Sequence, residues 1–101
     1  MTGQDRYRPE RRKTHARALI VLDDALLEAR VRDISRDGAK LDVPGWIEAG
    51  TAIYFRVGAA SLPALVHWMR DGQAGIRFFE RLDRETLIAL ERAADPLAEF
   101  R

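Results

Sequence analysis

Asp33, Ser35 and Gly38 stand at i, i+2 and i+5 in the stretch Arg32-Asp33-Ile34-Ser35-Arg36-Asp37-Gly38. A carboxylate accepts from N–H edges, a hydroxyl donates or accepts, and a glycine permits a backbone twist or a close ligand approach. Upstream, the run Arg11-Arg12-Lys13-Thr14-His15-Ala16-Arg17 supplies the opposite charge. Guanidinium forks grip phosphate in pairs of hydrogen bonds, so the two segments together suit a ligand that is flat, polar and anionic. Each segment also has a bland reading. Asp and Ser bond their own turn backbone, Asp37-Gly38 is by itself a hairpin signal, and a basic arm is commonly a solvated tail.

Other chemistry is poorly served. The two histidines are His15, in the basic run, and His67, on a strand-like segment. Neither stands where it would make Ser35 and Asp33 into a nucleophilic triad, so an enzyme is not indicated. There are no cysteines, and the carboxylates follow no metal-ligand spacing, so neither a metal nor another cofactor is expected. No apolar run approaches the ~20 residues needed to span a bilayer, and the first residues are charged, so the reading is a cytoplasmic domain without membrane insertion.

The net charge of +1 hides an asymmetry. Residues 1–17 hold six cations against Asp5 and Glu10, a balance of +4, which leaves −3 for the remaining 84 residues. A slightly acidic body does not attract long polyanions by its bulk field, whereas a basic arm can clamp a compact phosphate ligand. DNA is therefore not an expected partner.

These residues need a scaffold, and period-two patterning supplies one. Leu27, Ala29 and Val31 alternate with Glu28, Arg30 and Arg32; Ala39, Leu41 and Val43 alternate with Lys40 and Asp42. The segments 18–22, 53–57, 62–69 and 74–79 read as four more strands, the last two joined by Arg70-Asp71-Gly72-Gln73. Six short strands at this spacing predict a mainly β fold, a six-stranded antiparallel Greek-key-type barrel. The period changes once. Asp83 caps a predicted helix over 84–94, with Leu87, Leu90 and Ala94 on one stripe and Pro96 as a stop. At 101 residues this is one domain over 11–96, with a flexible basic tail at 1–10 and a short tail at 97–101. The alternation also carries Asp33 to the side of Val31 and Trp68 to the side of Val66. Trp68 is thus open to two readings, core aromatic or ligand wall, while Arg36 and Arg70 read as solvated strand-end charges.

The order of these elements resembles the PilZ domain family of bacterial cyclic di-GMP receptors. Its pattern is an Arg-x-x-x-Arg element before the first strand and an Asp/Asn-x-Ser-x-x-Gly element between the next two. Asp33-Ile34-Ser35-Arg36-Asp37-Gly38 matches the second element in full. Val66-His67-Trp68 followed by Gly75-Ile76-Arg77-Phe78 resembles the two C-terminal strands of such domains. The first element departs from the pattern: four residues before Arg17 stands Lys13, and Arg12 is one residue too far. Lysine is a point charge where arginine is a planar fork, so this position bears on affinity.

The resemblance implies a cyclic di-GMP receptor or adaptor. In it the arm bearing Arg11, Arg12, Lys13 and Arg17 closes over the ligand, Asp33 accepts from a guanine edge, Ser35 and the backbone at Gly38 contact base or phosphate, and Trp68 supplies a wall. Ordering of the arm then signals to a protein partner, which the residues do not identify. Two alternatives stay open. One is a PilZ-like interaction module that has lost the nucleotide, which Lys13 keeps in play; the other is a barrel for single-stranded nucleic acid using Tyr7, Tyr54 or Trp68 as stacking platforms.

Overall fold

The computed structural model describes residues 12–13 and 16–94. Arg11, both predicted tails and the Pro96 stop lie outside them. Six strands form one closed antiparallel ring: β2 (Arg17–Val21), β3 (Leu26–Ile34), β4 (Gly38–Asp42), β5 (Ala52–Val57), β6 (Ala60–Arg70) and β7 (Gln73–Phe78). Around the ring the order is β3-β2-β5-β6-β7-β4, and pairing of β4 with β3 closes it. A two-residue strand, β1 (Arg12–Lys13), is added to β3. Strands β5, β6 and β7 follow one another as hairpins, while the 43–51 connection carries the chain from β4, beside β7, to β5, which is the Greek-key arrangement. Asp71 and Gly72, with φ of 55° and 79°, make the two-residue turn that the right-handed strand twist favours between β6 and β7.

Alternation fills the interior. Ile20, Val31, Ile34, Leu41, Phe55, Val57 and Val66 are fully enclosed, and the Phe55 and Phe78 rings meet at 6.0 Å. Pro63 sits within β6 because its carbonyl accepts from Phe79, so its nitrogen faces the chain just past the end of β7, where no ladder bond is lost. The helix α1 (Arg84–Ala94) has the predicted bounds and buries Leu87 and Leu90 in the same core.

Asp83 starts this helix by accepting from the Thr86 N–H at 2.7 Å. The Thr86 side chain and backbone hold the Asp83 carboxyl below the usual 3.8. A carboxyl with a depressed folded-state pKa contributes fully above its unfolded value, and the contribution is lost as pH falls through the folded one. Asp83→Ala is therefore expected to lower the melting temperature at neutral pH. As pH falls below about 4, its stability is expected to fall less than the parent's, as read by circular dichroism melts.

Two irregularities break the alternation. Opposite β4, the register of β3 shifts between Val31 and Asp33, which makes Arg32 an extra residue; opposite β7, the register of β6 shifts between Val66 and Trp68, which makes His67 one. A one-residue bulge reverses which later side chains point inward. Ile34 rather than Asp33 follows Val31 into the core, and Met69 rather than Trp68 follows Val66.

Candidate functional site

The bulges correct the simple strand pattern where it matters. Asp33 does not share the face of Val31, and Trp68 does not share that of Val66; both are half-buried on the outside of the barrel. Their registers join them in one transverse row. Lys13 lies opposite Asp33, Asp33 opposite Lys40, Lys40 opposite Gly75 and Gly75 opposite Trp68. Trp68 lies flat on β7, because a Cβ at Gly75 would overlap its indole. The Arg70 guanidinium sits 5.5 Å from the Trp68 ring, so its charge is held against the aromatic face.

Asp33, Ser35, Gly38 and Trp68 line one open hollow of about 180 Å³, together with Lys40, His67 and Arg77. Lys40 and Arg77 bring cations to the same hollow as the Asp33 carboxylate, and Arg70 adds one against Trp68. Such a set can take N–H edges and anionic oxygens side by side. Among the described residues, no group of His, Asp or Glu is placed to hold a metal ion.

The turn from β3 to β4 is braced from below. The Ser35 N–H donates to the Gly38 carbonyl at 2.9 Å, and the Ser35 hydroxyl accepts from the Asp37 N–H at 3.2 Å. Ser35 thus has the turn-closing role that its residue type suggests on its own, while its side still borders the hollow. Arg36 is no solvated charge: its Nε donates to the Leu82 carbonyl at 2.7 Å, and the Leu82 N–H donates back to the Arg36 carbonyl at 2.8 Å. With the Phe78 N–H on the Asp37 carbonyl at 2.8 Å, these bonds fix the turn to the end of β7 and the approach to α1.

Gly38 serves neither a left-handed twist nor open space for a ligand. Its φ is not positive, and a Cβ there would fall on the carbonyl oxygen of Ile76. Glycine is needed because β4 and β7 approach too closely for any side chain.

Arg17 is set apart from this group. It is exposed on β2, 3.6 Å from Glu28, and lines a second hollow of about 330 Å³ with Arg30, Asp42 and Pro44. Arg12 and Lys13 are described only by their backbone register on β3, and Arg11 lies outside the described residues. Tyr54 stands on the outer face of β5, away from the hollow, so it does not continue a stacking surface from Trp68. Sequence reasoning missed Lys40, His67 and Arg77. A signal for the bulges was present: the apolar spacing changes from two to three at Val31 to Ile34 and again at Val66 to Met69.

Comparison with curated protein sequences gives no match. Among solved structures, the chain is similar to the PilZ domain of CeSA from a cellulose-synthesizing bacterium, with a TM-score of 0.63 and 15% identity over 84% of this chain and 94% of that one. It is also similar to the Borreliella burgdorferi PlzA protein, solved in complex with c-di-GMP, with a TM-score of 0.63 and 18% identity. That match covers 92% of this chain and 43% of PlzA. At these identities the likeness speaks for the fold. The domain model for the PilZ domain matches residues 5–95, and with that match over nearly the whole sequence the chain belongs to the PilZ domain family.

Proposed function

We propose that this domain is a cytoplasmic cyclic di-GMP receptor that acts by binding, not by catalysis. The observation that carries the reading is the convergence of Asp33, Lys40, Gly75 and Trp68 in one outward row, produced by two separate bulges. The bulges that carry Ile34 and Met69 inward turn Asp33 and Trp68 outward, and bulges are common beside binding sites. The c-di-GMP in the PlzA complex supports the choice of ligand.

Asp33 accepts from the N1–H and N2–H edge of a guanine, a pair of donors that adenine lacks. Trp68 gives that base an apolar wall, and Lys40 and Arg77 face the phosphodiesters. The arm bearing Arg11, Arg12, Lys13 and Arg17 closes over the far side, making 11–96 the ligand-binding unit. The β1 register supports Lys13, rather than Arg12, as the partner nearest Asp33. Ordering the arm over the ligand changes the surface offered to a partner protein, which is the output.

Calorimetric titration of the parent and of Lys13→Arg with cyclic di-GMP tests this. The parent is expected to give saturable heat at tens of micromolar or below, about −6 kcal/mol or stronger. Lys13→Arg is expected to bind about tenfold tighter, because a fork replaces a point charge. Absence of heat for the parent overturns the receptor reading. If Lys13→Arg alone then binds, the chain is an interaction module that has lost its nucleotide.

A further inference from the structure

The turn between β3 and β4 has two sides. Ser35, Asp37 and Gly38 line the hollow, whereas Arg36, which stands among them in sequence, does not. Its half-buried guanidinium is engaged elsewhere, donating from Nε to the carbonyl of Leu82, 46 residues further along the chain. The bonds of Ser35 to Gly38 and Asp37 set the shape of the turn. Its place against β7 and the approach to α1 is set by the bonds that leave it.

Those bonds are unequal. Arg36 and Leu82 exchange two, one of them from a charged donor, which is the stronger kind. Leu82 is a firm anchor because it is buried in the same core as Leu87 and Leu90. The ion pair of Arg81 with Asp37, at 3.3 Å, has both side chains 64% exposed, and a pair so wet holds little. On the far side of Leu82 the helix begins. The Asp83 carboxyl, lowered first by the side chain and backbone of Thr86, is lowered further by the Arg36 charge, so Arg36 reaches the helix cap as well. Residues 79–83 belong to neither strand nor helix, and the placing of such a link depends on ties of this kind.

From this geometry we infer that Arg36 is a positioning residue of the nucleotide site, holding the Ser35–Gly38 turn against Leu82 and thereby tying the hollow to the start of α1. The inference rests on the cyclic di-GMP reading above. A ligand seated on the turn restrains the Arg36–Leu82 pair, and with it residues 79–83 and the first turn of the helix. Linkage makes the effect reciprocal: freeing the pair leaves the turn less fixed and weakens the ligand, although Arg36 lies off the hollow.

Calorimetry and amide hydrogen exchange of the full chain with cyclic di-GMP test the inference. In the parent, saturating nucleotide is expected to slow exchange over residues 79–86 at least about threefold. Arg36→Ala is expected to bind about tenfold more weakly and, at saturation, to show no slowing there, while its far-UV dichroism stays that of the parent. Arg36→Lys keeps the charge and lacks the Nε donor, and it carries the same expectations if Arg36→Ala does not fold. Arg81→Ala removes the exposed pair alone and is expected to bind within about twofold of the parent, with the slowing intact. Heat in the parent without slowing over 79–86 overturns the inference and leaves the receptor reading standing; absence of heat overturns both. An Arg36 variant that binds as tightly as the parent, or whose 79–86 segment is still slowed by nucleotide, overturns the inference as well.

Discussion

Gly38→Ala is expected to destabilise the fold by about 3 kcal/mol, the upper part of the range for overpacking a filled site. The added methyl group falls on the carbonyl oxygen of Ile76, a backbone atom that no rotamer change can move. Relief requires β4 and β7 to separate where Gly38 faces Arg77, and this seam is one of the six that keep the barrel closed. Urea unfolding followed by Trp fluorescence measures the loss as a lower midpoint. Gly75→Ala is the informative control. There the new methyl group meets the indole of Trp68, a half-buried side chain on the outer face that can swing away. Its stability cost is expected to stay below about 1 kcal/mol, in the range of surface changes, while the wall of the hollow is displaced. Equal losses in the two variants would contradict this account of Gly38.

Asp33→Ala is expected to weaken cyclic di-GMP binding about 100-fold and to leave the barrel folded. Hydrogen bonds to a charged group contribute about 1.5–3 kcal/mol, and the substitution also leaves two guanine N–H donors without acceptors. The bulge at Arg32 has already removed Asp33 from the core, so truncation opens no internal cavity. Discrimination should fall along with affinity. The parent is expected to prefer cyclic di-GMP to cyclic di-AMP, and the preference is expected to shrink in Asp33→Ala because the base-reading acceptor is gone. Calorimetry with both nucleotides measures each change. An undiminished preference in the variant would show that Asp33 does not read the base.

Much of the fold was legible because its signals are local. The six strands follow from alternation, the helix bounds from Asp83 and the change of period, and the β6–β7 turn from Asp71-Gly72. The candidate site was legible in its residue types and less so in its geometry. Asp33, Ser35, Gly38 and Trp68 do meet at one hollow, but alternation alone assigns Asp33 and Trp68 to the wrong face. A bulge adds a residue without leaving an unusual residue type, so only the three-residue apolar spacing marks it. Lys40 and Arg77 resemble any solvated strand charge until the register sets Lys40 opposite Asp33 and Arg77 opposite Gly38. Arg36 and Gly38 escaped for a related reason. Their partners, Leu82 and Ile76, are far along the chain, and nothing near Arg36 or Gly38 announces contacts of that range.

The bulges also set how this barrel tolerates change in chain length. In a strand with one wet and one dry face, a single inserted or deleted residue acts on side-chain orientation as a frameshift acts on codons. Arg32 and His67 are insertions of that kind already absorbed, each near the end of its strand, so that only Asp33 and Ile34, or Trp68 to Arg70, lie downstream. Removing either residue would exchange inside for outside over two or three positions, with the rest of the core still in phase. The binding face is thus written in a second reading frame of the same two strands, and it can be rewritten without disturbing the first.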